Sequence, residues 1–194
     1  KVAGGNLMPD HLMAMDPGNV IKKIDGIATT EPAFGLDAIW ISKSQKEQAE
    51  LSGYTVVDLS TVIATHLTEI IRNNAHEILG RQEANNLIEN FKAAFPKVVD
   101  ELIPDVLPLG AVVQVLQGLL KEQVSIRDLR TIFETLADEA PRTKDIDVLI
   151  ESVRKKMCRN ITSKYKDEDD NLMVMSLSPH IEELLANSLL QSEQ

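Results

Sequence analysis

At 194 residues the chain is long enough for one compact domain or two small ones, and its scarce aromatics (4%) leave any core to Leu, Ile and Val. Its formal net charge of −10 is spread along the whole length, with 5 basic against 8 acidic side chains in 1–60, 7 against 12 in 61–141 and 8 against 10 in 142–194. Such a balance argues against a nucleic-acid binder, which needs Lys and Arg to neutralise phosphates, and against an anionic membrane surface.

No apolar run approaches the ~20 residues of a membrane-spanning helix. One cysteine, Cys158, excludes an intrachain disulfide and fits a reducing compartment. The opening Lys1-Val2-Ala3-Gly4-Gly5 has no initiator Met and no signal-peptide pattern, and reads as a cut within a longer chain.

Residues 1–59 are punctuated by Gly and Pro, with short apolar runs at Leu12–Met15, Ala38–Ile41 and Tyr54–Val57 that read as strands. One helix is expected at about 44–52, ending at Gly53. From residue 60 the period changes. Val62/Ile63, His66/Leu67, Ile70/Ile71, Asn74/Ala75 and Ile78/Leu79 recur every four residues, a double apolar stripe on one helix ending at Gly80. Further helices follow on Ala84, Leu87, Ile88, Phe91 and Phe95; on Val98, Val99, Leu102 and Ile103; from Leu109 to Leu120; and from a Ser125 cap through Leu136. Short links between them predict an antiparallel bundle.

Asp145 opens a helix with Ile146, Leu149, Ile150, Val153, Met157 and Ile161 on its apolar face. A polar loop at Lys166–Asn171, a strand at Leu172–Met175 and a final helix from Ser178 or Pro179 through Leu189 then form half of an α/β unit, with apolar surface left open. The fold class is therefore α+β and predominantly α. A small β-containing part occupies 1–59, a central helical bundle 60–141, and a partial α/β C-terminal subdomain 142–194.

The chain carries little that points to chemistry. No Gly-rich phosphate loop is present. His66 and Glu69 stand at i, i+3 as in some carboxylate metal sites, but a second pair is missing, and His66 on the stripe reads as a satisfied, partly buried histidine. His76 lies off the stripe and reads as solvated. Cys158 beside Met157 reads as a half-buried packing residue. Arg154-Lys155-Lys156 and Arg159 read as the solvated face of a helix, with attraction of an acidic partner as the other reading. Glu69, Glu77, Glu83, Glu89, Glu134 and Asp138 read as helix-surface charges. Neither a metal, a cofactor nor an enzymatic activity is expected. Phe34, in the Pro/Gly-restrained segment Glu31-Pro32-Ala33-Phe34-Gly35-Leu36, is either a core plug or an exposed anchor for a partner, and the residues alone favour the core.

Several blocks in order resemble the flagellar FlhA family and its injectisome relatives. They are Glu31–Ile41, Gly53–Asp58, Ser60–Leu67, Leu79–Glu83, Val115–Leu120 and Ile126–Ile132, closer to the flagellar branch, with a looser match after about residue 160. The resemblance implies the cytoplasmic part of an integral inner-membrane export-gate protein of type III secretion, a docking module with four subdomains that assembles into a ring. Residues 1–59 would end the second subdomain and return into the first, 60–141 would be the third, and 142–194 the first part of the fourth. The partners it implies are flagellar export chaperones with their substrates, the export ATPase complex and a switch-type export protein. By motif it places chaperone binding on Glu31, Phe34 and Thr65, with Val57 in the same pocket, and it moves Phe34 toward the anchor reading. Family members often carry Asp where Glu31 stands. The alternative is a structural ring-assembly module of an injectisome-type gate.

Overall fold

A computed structural model of the protein describes residues 7–192; the expected cut at Lys1–Gly5 lies outside the described residues. Strands β1 (His11–Met15), β2 (Ile27–Thr30), β3 (Asp37–Ser42) and β4 (Thr55–Val57) form an antiparallel sheet in the order β2-β3-β1-β4. A 3-10 turn at Lys43–Gln45 and helix α1 (Lys46–Leu51) link β3 to β4.

Successive strand side chains point to opposite faces, and both faces of this sheet are covered. Met13, Ala38 and Trp40 face one way, against Val62 and Leu59 at the start of helix α2 (Leu59–Asn73). Ala14 and Ile41 face the other way, against Ala49 of α1 with Tyr54 and Val56. Of the strands, β2 was not anticipated.

Beyond the sheet the chain is helical: α3 (Ala75–Ile78), α4 (Arg81–Ala94), α5 (Pro96–Leu102), α6 (Leu109–Lys121), α7 (Leu129–Glu139), α8 (Ile146–Lys156), α9 (Cys158–Ser163) and α10 (Pro179–Ser192). The fold is α+β and mainly helical, as the patterning predicts. α4 to α8 bury one continuous core. Val112, Val115, Leu116 and Leu119 of α6 meet Ile132, Phe133 and Leu136 of α7 and Leu149 and Val153 of α8, all inaccessible to solvent. Burying each Leu or Ile is worth about 1.5–3 kcal/mol. α6 and α8 come so close at Gly118 that a Cβ there would lie 2.3 Å from Ile150 Cδ1.

The structure corrects several expectations. The helix expected from 60 to 79 breaks at Asn74, whose side-chain amide donates to the Ile70 carbonyl at 2.7 Å. Much of its double stripe is exposed within this chain, with Ile63, Leu67, Ile70, Ile71 and Ile78 all open while Val62 is buried. α7 starts at Leu129 and not at Ser125; Asp128 caps it, accepting from the Thr131 N–H at 3.1 Å and the Thr131 hydroxyl at 2.8 Å. The helix from Asp145 ends at Lys156 and restarts at Cys158, which places Cys158 on the surface and not half-buried.

Leu172–Met175 is not a strand. Leu172 makes a single bridge to Lys166, and Met173, Val174 and Met175 are exposed. A strand needs a neighbour for its backbone groups, and none is placed beside this run among the described residues. α10 forms as expected, with Ile181, Leu184 and Leu185 exposed; the Leu189 side chain lies outside the described set.

Candidate docking site

The β2–β3 hairpin is the element that decides what Phe34 does. Thr30 pairs with Asp37 across its base, and six residues, 31–36, close it. The Glu31 N–H donates to the Leu36 carbonyl at 2.8 Å, and the Gly35 N–H donates to the Glu31 carbonyl at 3.0 Å. Gly35 has φ +72° with open space around it, so glycine is required by backbone conformation and not by crowding. The Glu31 side chain folds back beneath the turn, where Oε1 accepts from the Ala33 N–H at 2.9 Å and Oε2 from the Phe34 N–H at 2.7 Å. A carboxyl group only 2% exposed is tolerable because both oxygens are used.

The product of this local bonding is an outward ring: Phe34 is 61% exposed. Phe34 is therefore not a core plug, contrary to what its residue context favours.

The α2 side of the sheet supplies the opposite wall. Met15, Thr55 and Val57 share that face, because Met15 pairs with Thr55 and Met13 with Val57. α2 begins directly after β4. Asp58 caps it, accepting from the Thr61 N–H at 2.7 Å and the Ser60 hydroxyl at 3.0 Å. The Thr61 N–H bond, with the hydroxyls of Thr61 and Ser60, holds the Asp58 carboxyl below the ordinary carboxylate range. The first turns of α2 then present Thr61, Val62 and Thr65 on one face.

Sheet, hairpin and helix enclose a pocket of about 240 Å³. Glu31, Phe34, Val57 and Thr65 all line it, together with Met15, Pro17, Leu36, Thr55, Thr61 and Val62. The last six were not singled out from the sequence; strand register and the i, i+1, i+4 spacing after Asp58 are the patterns that carry them. The lining is apolar with three threonine hydroxyls. Among the described residues its one carboxyl group is engaged by backbone N–H groups, and no His, Cys or Lys lines it to act as base, nucleophile or metal ligand. Such a surface is built to receive an apolar side chain.

The other candidates lie elsewhere. His66, one residue beyond Thr65, is half-buried as expected, but its Nδ1 is buried without a hydrogen-bond partner among the described residues. His76 is half-buried, not solvated, and its Nδ1 is likewise unpartnered. Among the described residues no cluster of three or more His, Cys, Asp or Glu is placed to hold a metal. Arg154 is engaged by Glu122 at 3.0 Å and Glu151 at 3.5 Å, on the exposed side of α8.

A model of the FHIPEP family matches residues 1–194. The chain belongs to the FHIPEP family. The flagellar biosynthesis protein FlhA of Bacillus subtilis is 45% identical over 193 residues, which is 100% of this chain and 28% of that relative, so the chain spans little more than a quarter of its length. Among solved structures, the Chlamydia pneumoniae CdsV protein in its complex with CdsO is 30% identical at a TM-score of 0.79, over 95% of this chain and 56% of that one. The nonameric EscV cytosolic domain from the type III secretion system is 29% identical at a TM-score of 0.60, over 84% of this chain and 49% of that one. FHIPEP membership bears out the resemblance carried by the Glu31–Ile41 and Ser60–Leu67 blocks. No helix among the described residues is long and apolar enough to cross a membrane.

Proposed function

We propose that this chain is part of a flagellar type III protein export gate, facing the cytoplasm from the inner membrane, and that it docks export chaperones carrying their substrates and helps order their export. The observation that carries this reading is the Phe34 ring, 61% exposed on the wall of an apolar pocket. A single exposed apolar side chain needs no partner, but an exposed aromatic on the wall of an apolar pocket has the placement of a binding hot spot. Phe34 is the anchor, Val57 lines the pocket it flanks, and Thr65 supplies a hydroxyl on the helix side. Glu31 contributes by holding the turn. The export ATPase complex and the switch-type export protein are further partners of the gate. Residues 1–59 are the end of the second subdomain and the return into the first, 60–141 the third, and 142–194 the first part of the fourth.

The relatives support this assignment through flagellar biosynthesis and type III secretion. A second reading, a ring-assembly module of an injectisome-type gate, draws on the nonameric state of the EscV neighbour and is compatible with the first.

The test is titration of a purified flagellar export chaperone–substrate complex against the complete cytoplasmic domain. Phe34→Ala is expected to weaken binding tenfold or more, about 1.4 kcal/mol. Unchanged affinity with the fold intact removes the docking role from this pocket. An absence of binding by either protein leaves ring assembly as the reading.

A further inference from the structure

A second cavity, of about 360 Å³, lies where the end of α2, the α6–α7 loop and α9 meet. It shares no residue with the Phe34 pocket. Its floor is apolar, with Val124 and Met157 buried and Leu120 and Ile161 half-buried. Its rim carries Arg72 of α2, Arg127 of the α6–α7 loop and Lys164 at the C-cap of α9, and among the described residues no Asp or Glu lines it. In a chain with 30 acidic and 20 basic residues, a lining of this size with three cations and no carboxylate is a local inversion of the overall charge.

The three cations differ in how far they are already engaged. Arg72 pairs with Glu69. Lys164 Nζ donates to the Gln123 carbonyl at 3.3 Å and lies 5.4 Å from the centroid of the Tyr165 ring, which is itself 58% exposed at the cavity edge. Gln123 holds a left-handed backbone, φ 58°, where it receives that bond. The Arg127 guanidinium, by contrast, makes no ion pair among the described residues.

We propose that this cavity is a second docking site, for an acidic protein segment that inserts one apolar side chain over Val124 and Ile161 and sets flanking carboxylates against Arg127 and Lys164. The argument is charge complementarity joined to an apolar floor. A free anion would use the rim and waste the floor. A nucleic acid would meet a strongly negative surface as soon as it left the rim. An acidic segment with one Leu or Phe satisfies both parts, and Arg gives its carboxylates paired donors in a fixed geometry.

The test uses the full chain and two fluorescein-labelled synthetic peptides, Gly-Asp-Glu-Asp-Leu-Phe-Asp-Glu-Asp-Gly and the same peptide with Lys at every acidic position, followed by fluorescence anisotropy. Saturable binding of the acidic peptide is expected, at least tenfold tighter than its Lys counterpart and weakened by salt. Arg127→Glu and Tyr165→Ala should each weaken it tenfold or more, while Phe34→Ala leaves it unchanged. Both substituted residues are exposed, so thermal melts should match wild type; Lys164→Glu replaces either variant if its melt is lowered. Equal binding of the two peptides, survival of binding in both variants, or its loss in Phe34→Ala overturns the proposal. So does equal displacement by free glutamate, which marks an anion site, or an Arg127-dependent self-association in sedimentation, which makes a second copy the occupant.

Discussion

The Phe34 N–H donates to the Glu31 carboxylate at 2.7 Å, and this bond links a group that is 2% exposed to one that is 61% exposed. Glu31 pins the turn from below and Phe34 stands out from above. Removing the carboxylate leaves the Ala33 and Phe34 N–H groups without their partner, which costs about 1–3 kcal/mol. Glu31→Ala should therefore lower stability by that order in urea unfolding and weaken chaperone docking about tenfold. In a Phe34→Ala background it should have little further effect on affinity, because both changes act on the same ring. Glu31→Asp should retain most of the docking, since a shorter carboxylate also bonds N–H groups two and three residues on, as at helix N-caps.

Gly35 follows directly. With φ +72°, an L side chain there costs about 1–2 kcal/mol even though nothing crowds it. Gly35→Ala should lower the unfolding free energy by about that amount, whereas a Gly35→Asn variant, whose side chain tolerates the left-handed region better, should lose less.

The two apolar faces of the helical part should answer very differently to truncation. Leu116 is fully buried in the α6–α8 core, and Leu116→Ala should cost about 2–5 kcal/mol. Leu67 is 53% exposed on α2, and Leu67→Ala in this same chain should change stability by less than about 0.5 kcal/mol. Denaturant melts of the two variants side by side check the assignment. A large loss at Leu67 would mean that the α2 stripe is covered.

Asp58 gives the pH dependence its sign. Its carboxyl lies below the ordinary value of 3.8, chiefly through the Thr61 N–H. A depressed folded value means that the contribution is fully present above the unfolded value and is lost as pH falls through the folded one. Asp58→Ala should therefore melt earlier than wild type at pH 7. The difference should close as both are titrated well below pH 3.8.

How far the residues themselves disclosed this arrangement depends on whether the signal was local. β1, β3 and β4 were legible because short apolar runs are bounded by Gly and Pro. β2 was not, because Ile27-Ala28-Thr29-Thr30 offers one large apolar residue and that residue is 51% exposed on the edge strand. The α2–α3 break was hidden because the apolar stripe runs straight through Asn74, while the bond that matters is its amide to the Ile70 carbonyl. Leu172–Met175 has strand composition but lacks a pairing strand among the described residues, and composition says nothing of partners. At the site, the residue types around Phe34 favour a buried ring over an outward one, because Pro and Gly restrain the turn without saying which way the ring leaves it. The outward one is set by the Glu31 bonds and the Gly35 conformation, a three-dimensional fact that the motif resemblance anticipated and the residue pattern did not.

The most direct measurement replaces Phe34 with the photoreactive p-benzoylphenylalanine in the full-length protein in flagellated cells and identifies what is captured on irradiation. Docking at this pocket predicts an adduct with an export chaperone, diminished by Val57→Glu, a charge introduced into the same apolar wall. No chaperone adduct at position 34, with export intact and chaperone capture obtained from another surface, would contradict it.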